Sequence, residues 1–165
     1  MIFFIFAAWF LILHFDYNKK DKLGGVAYVS YSKVLQESSI LAQENVRNEA
    51  VNALANAAEN RTLEKYYAMP EPIRREIRFI EKGRNINKLR AEQGRIRRIS
   101  QQVIKDEIEK YRIDNHYSVV FNKDLASPSH ADKDISDEII VKVRNIKVDY
   151  GVLPKFDEEA LAQYE

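Results

Sequence analysis

Few side chains in this sequence are of the types that carry reactions, and their spacing builds no reaction centre. His14, His116 and His130 lie too far apart in sequence for a local metal-ligand set, and the first sits in an apolar run. The chain has no cysteine, which removes disulfide frameworks, thiolate metal sites and a thiol nucleophile together. Asp132, Asp134, Asp137 and Glu138 cluster. They lack the glycine and the closing glutamate of an EF-hand loop, so they read as the solvated, capped start of a helix. There is no glycine-rich phosphate loop and no G-x-S-x-G elbow. The expectation is a non-enzymatic protein, with no catalytic residue, metal or cofactor.

What remains is the chemistry of binding. Arg74, Arg75, Arg78, Lys82, Arg84, Lys88, Arg90, Arg95, Arg97 and Arg98 face few acids before Ser100, although the whole chain carries a formal net charge of only +1. A local field of that sign speeds encounter with acidic partners; the plainer reading is a solvated helix face. Nucleic acid is not the expected partner, because Phe79 alone offers a ring for base stacking there. Just before the basic run come Tyr66, Tyr67 and Met69, whose aromatic and thioether groups adapt to varied sequences. With Arg74, Arg75, Arg78 and Arg84 they form the predicted client-binding set. Ile73, Ile77 and Ile80, with Phe79, read more readily as a seam against the preceding helix than as free surface.

Long helices must position these groups. The 165 residues fit one domain, and five Gly with four Pro leave few turns. VAYVSY, Val26 to Tyr31, is a short β-prone run. From Ser32 to Tyr67 there is neither Gly nor Pro, and Val34, Leu41, Val51, Leu54 and Ala58 recur at helical spacing. Pro70 and Pro72 interrupt the pattern. A second helix then runs from about Ile73 to Arg112, with Leu89, Ile96 and Val103 at heptad spacing and a bend expected near Gly83. Helices of roughly 36 to 40 residues, about 55–60 Å long, form a hairpin or coiled coil rather than a ball. Tyr117 to Phe121 is a second strand, able to pair with the first only if the hairpin returns the chain to its start. Ile135 to Ile146 has helical spacing, with Ser136 as the expected N-cap.

At the front, Met1 to Leu13 is continuously apolar, shorter than the about 20 residues that span a bilayer. It reads as an export signal or, slightly ahead of that, a thin membrane anchor. Lys19, Lys20 and Lys22 follow it, and no small-x-small cleavage site is evident. The expected organisation is therefore an apolar signal or anchor at 1–15, a linker at 16–25, one domain at 26–147 with its hairpin at about 32–112, and a loosely structured tail at 148–165.

Two segments resemble the OmpH/Skp family of periplasmic chaperones. VAYVSYSKVLQES, Val26 to Ser38, is similar to that family's opening strand and helix start. YSVVFNKDLASPSHADKDISDEIIVKVR, Tyr117 to Arg144, is similar to its closing strand, loop and last helix, with Asp134-Ile135-Ser136-Asp137-Glu138-Ile139 matching the helix start. The resemblance implies a mainly α fold with a small β part: a long antiparallel helical hairpin, or arm, on a small strand-containing oligomerisation body. It implies a homotrimer joined through Val26, Tyr28, Val119 and Phe121, holding unfolded outer-membrane proteins in the periplasm without ATP. Tethering to the inner membrane through the N-terminus is expected. A second reading, a membrane-anchored structural accessory subunit of an F-type conjugative transfer system, shares the anchor–strand–helix–strand order.

Overall fold

The computed structural model describes residues 24–125 and 133–156. The apolar segment 1–15, all of the 16–25 stretch before Gly24, the loop around Pro128 and the residues after Phe156 lie outside the described residues. The fold is mainly helical, with long helices and a single two-stranded sheet among the described residues. Its elements are β1 (Val26–Val29), α1 (Tyr31–Glu37), α2 (Ser39–Lys65), α3 (Glu71–Asp114), β2 (Val119–Asn122) and α4 (Ser136–Val143). They divide into two units. One comprises the residues up to Glu37 with Ile104–Val143, the other Ser38–Val103 with the segment from Arg144.

In the first unit β1 and β2 pair in parallel, from Val26 beside Val119 to Val29 beside Asn122. Parallel strands need a long crossover, and the intervening helices supply it. Alternation gives the sheet two unlike faces. Ala27 and Val29 are fully buried, whereas Val26 and Tyr28 share the opposite face with Val119 and Phe121. On its other side Tyr28 N–H donates to the Lys133 carbonyl (2.9 Å), and Ile135 N–H donates to the Tyr28 carbonyl (2.8 Å). α4 packs on α1, and Val34, Ile104, Ile108, Ile135, Ile139 and Val143 are buried in the core. Gly24 and Gly25 lie against the start of β2. Gly24 has φ +69° and a Cβ there would collide with Ser118, while the Gly25 carbonyl accepts from Ser118 N–H (3.1 Å).

Two carboxylates tie the loops of this unit together. Asp124 accepts from Ser30 Oγ (2.6 Å) and from Ser32 N–H at the start of α1 (2.8 Å). At the start of α4 the capping acceptor is Asp134, not Ser136. The Asp134 carboxylate accepts from Ser136 N–H (3.0 Å), while Ser136 Oγ accepts from Ser30 N–H (2.9 Å). Burial pushes the Asp134 carboxyl up, but hydrogen bonds from Lys123 and Ser136 outweigh it and hold it below the usual range. Asp124 behaves alike, burial being outweighed by bonds from Ser30 and Ser32. A depressed folded pKa stabilises above the unfolded value, about 3.9 for Asp, and that contribution disappears as pH falls through the folded value. The melting temperature by circular dichroism is therefore expected to drop below about pH 4. An Asp124→Asn/Asp134→Asn variant should be less stable at neutral pH and show a flatter acid fall. An equal fall in that variant would place the acid sensitivity in other carboxylates.

α3 ends in a Schellman motif with an unusual residue at its left-handed position. His116 has φ 58°; its N–H donates to the Ile113 carbonyl (3.1 Å), and Tyr117 N–H donates to that of Arg112 (3.0 Å). The apolar contact of the motif is a ring stack of Tyr117 on Tyr111, centroids 6.3 Å apart. Left-handed backbone costs a non-glycine residue about 1–2 kcal/mol. His116→Gly is expected to stabilise the chain by about 0.5–1 kcal/mol after the entropy it adds to the unfolded state, read from urea unfolding. A net loss would mean that the imidazole itself contributes.

The second unit is an antiparallel helical pair. Contacts join Glu44 to Arg97 (2.8 Å), Asn52 to Gln93 (3.3 Å) and Glu59 to Lys82 (3.9 Å), so numbers rise along α2 as they fall along α3. The expected single helix over 32–67 is broken at Ser38, which has extended backbone (φ −98°, ψ 165°) and accepts from Ile40 N–H. Serine suits a cap better than a helix interior. α3 is continuous from Glu71 to Asp114, through Gly83. Pro72 lies in its first turn, where a missing N–H is harmless.

The expected seam of Ile73, Ile77 and Ile80 is corrected. Ile73 and Ile80 are 50% and 59% exposed. The inward line continues from Ile77 to Glu81, Asn85 and Leu89, a polar stripe one helical step to the side. The segment after α4 differs from expectation too. Residues 144–156 have no regular secondary structure, yet Val148, Tyr150 and Phe156 are buried.

Candidate functional site

The turn between α2 and α3 carries the predicted client-binding residues, and it treats them unequally. Tyr66 follows the last residue of α2; its N–H donates to the Thr62 carbonyl (3.3 Å), and the Tyr67 N–H donates to that of Glu64 (3.3 Å). Its ring is turned inward, 7% exposed, with the Lys65 ammonium 5.6 Å from the centroid. Tyr66 thus packs inward at the end of α2. Tyr67 and Met69 remain at the surface, 77% and 40% exposed.

Arg74 binds this turn rather than facing solvent. Its guanidinium donates to the Tyr67 carbonyl (2.9 Å), lies 5.7 Å from the Tyr67 ring centroid and pairs with Glu71. Arg75 reaches the same carboxylate at 3.7 Å with its side chain 78% exposed. The carboxyl of Glu71 is held below its usual range, first by the Arg74 hydrogen bond. Arg78 is exposed on the next turn. Arg84 stands apart and pairs with Glu81, a buried carboxylate.

Much of the basic run is thus matched by acids. Arg95 pairs with Glu92 (2.6 Å), Arg97 with Glu44 and Lys82 with Glu59. Five of the pairs on α3 are spaced i,i+3 in the sequence: Glu71–Arg74, Glu81–Arg84, Glu92–Arg95, Glu107–Lys110 and Glu109–Arg112. That spacing was readable; the counter-charges from α2 were not.

Apolar surface lies between the charges. Tyr67, Met69, Ile73, Phe79 and Ile80 all stand at the surface, Phe79 being 81% exposed. The sequence pattern assigns Ile73, Phe79 and Ile80 to the seam, whereas all three are exposed. Single exposed apolar side chains are ordinary; here several stand within and just after the interhelical turn, with the exposed Arg75 and Arg78 among them in sequence.

The four residues predicted to join subunits share one side of the sheet in the first unit. Phe121 is 48% exposed, and its ring lies 6.0 Å from that of Tyr28. The acidic residues near α4 are engaged otherwise. Asp134 pairs with Lys123 and Asp137 with Lys33 (2.6 Å); Asp132 lies outside the described residues. Among the described residues no helix is long and apolar enough to cross a membrane.

No family model matches the chain, and no curated protein matches it. Among solved structures it is similar to a crystal structure from Caulobacter crescentus provisionally described as an OmpH-like outer membrane chaperone. The two share 17% identity at a TM-score of 0.38, covering 86% of this chain and 94% of that one.

Proposed function

We propose that this protein is an ATP-independent holdase of the periplasm that binds unfolded outer-membrane proteins, tethered to the inner membrane by its apolar N-terminus and assembled as a homotrimer. The observation that carries this reading is the surface of the interhelical turn and early α3. Tyr67, Met69, Ile73, Phe79 and Ile80 stay out of the helical seam, with Arg75 and Arg78 exposed among them. Apolar contacts there suit the lipid-facing side chains of an unfolded β-barrel, and cations suit its acidic ones. Capture of this kind needs no reaction centre and no nucleotide.

The test reverses two exposed charges, of which Arg75 meets Glu71 only at 3.7 Å. Arg75→Glu/Arg78→Glu leaves Arg74 with Glu71 and Arg84 with Glu81. It is expected to weaken capture of a urea-unfolded outer-membrane protein about tenfold at low ionic strength. The loss should shrink as salt shortens the Debye length from about 10 Å at 0.1 M toward 3 Å at 1 M. Capture that is equal in both proteins at every salt concentration would assign these arginines to solubility alone.

A further inference from the structure

We propose that the surface of α2 and α3 beneath residues 144–156 is a binding site for an extended polypeptide bearing aromatic side chains, with this segment as its built-in occupant. The contacts are of the kind made to backbone, independent of sequence. Gln43 donates through Nε2 to the Ile146 carbonyl (2.8 Å) and accepts through Oε1 from Val148 N–H (2.9 Å). That pairing with alternate residues is how a neighbouring strand would read an extended chain. Arg47 donates to the Val152 carbonyl (2.6 Å), and Arg95, held by Glu92, donates to the Tyr150 carbonyl (2.8 Å). Two aromatic anchors fix the register. The Tyr150 hydroxyl meets Ser100 Oγ in the interior (2.9 Å), and the buried Phe156 ring lies 5.8 Å from the Lys88 ammonium.

The segment fits this surface incompletely. Arg47 Nε and Asn48 Oδ1 are buried without a hydrogen-bond partner among the described residues, and a buried polar group left unpaired is unfavourable. An occupant on its own tether acts at an effective concentration of order millimolar, so modest contacts keep it in place. A free polypeptide with better placed polar and aromatic groups displaces it. The site deepens the holdase reading, because unfolded β-barrel strands carry aromatic residues at intervals. Its test uses no outer-membrane protein, so the two readings fail separately.

The probe is a fluorescent peptide of residues 146–156, with a second peptide in which its Tyr and Phe are Ala. The full chain carrying Tyr150→Ala and Phe156→Ala is expected to bind the first peptide at least tenfold more tightly than the unaltered chain does, and to ignore the second. Adding Arg47→Met should abolish the gain. A helical double variant with no gain would overturn the proposal. An independent reading uses the unaltered chain: millimolar probe should speed amide exchange at Val148 while leaving the helices protected. Unchanged exchange at Val148 under saturating probe would overturn it equally, whatever the variant does.

Discussion

Replacing Phe121 by Asp is expected to convert the assembled protein into monomers at micromolar concentration. Parallel sheets are found almost only with both faces covered, and a two-stranded sheet is marginal alone. Here one face is closed by the core side chains Ala27 and Val29, while Val26, Tyr28, Val119 and Phe121 stand on the other. The Tyr28–Phe121 ring pair makes that face aromatic as well as apolar. An uncompensated carboxylate buried at its centre would cost several kcal/mol per subunit. Light scattering of the unaltered chain should give three times the chain mass, and the variant one chain mass with its helicity retained. A trimer that persists through Phe121→Asp would mean that the subunits join elsewhere.

Truncating Ile139 to Ala should have the largest effect on stability. Ile139 is fully buried in the first unit, and its N–H donates to the Ile135 carbonyl where α4 begins. Removing its side chain forfeits the transfer energy and leaves a cavity, together about 2–5 kcal/mol. In a chain of this size each kcal/mol moves the melting temperature by roughly 2–4 °C, so a fall of order 10 °C is expected. Val141→Ala, 61% exposed on the same helix, should shift it by less than a quarter of that. Equal effects at the two positions would contradict the core described here.

The sequence made the helical hairpin, the two strands and the last helix legible because they rest on local signals: Pro70 and Pro72 at the tip, β-branched runs at both ends, helical spacing between. The break at Ser38 was hidden because the apolar pattern continues across it, although a Ser-Ser pair is a cap signal in itself. The seam went wrong for a different reason. Ile73 and Ile80 are more apolar than Glu81 and Asn85, yet the inward direction of α3 is set by its partner. Periodicity cannot say which of two adjacent stripes faces α2 when both hold the right spacing. The fate of Tyr66 turned on one residue of phase at a helix end. The packing of residues 144–156 was illegible because it runs through backbone carbonyls, which leave no mark in composition. Their donors, Gln43, Arg47 and Arg95, look like ordinary solvated side chains in a sequence.

Dilution of a urea-unfolded outer-membrane β-barrel protein into buffer, with and without this protein and with no nucleotide present, tests the holdase reading most directly. One trimer per client is expected to abolish the rise in light scattering and to hold the client in a soluble complex of defined mass. Aggregation at an undiminished rate with the protein in excess would contradict the account.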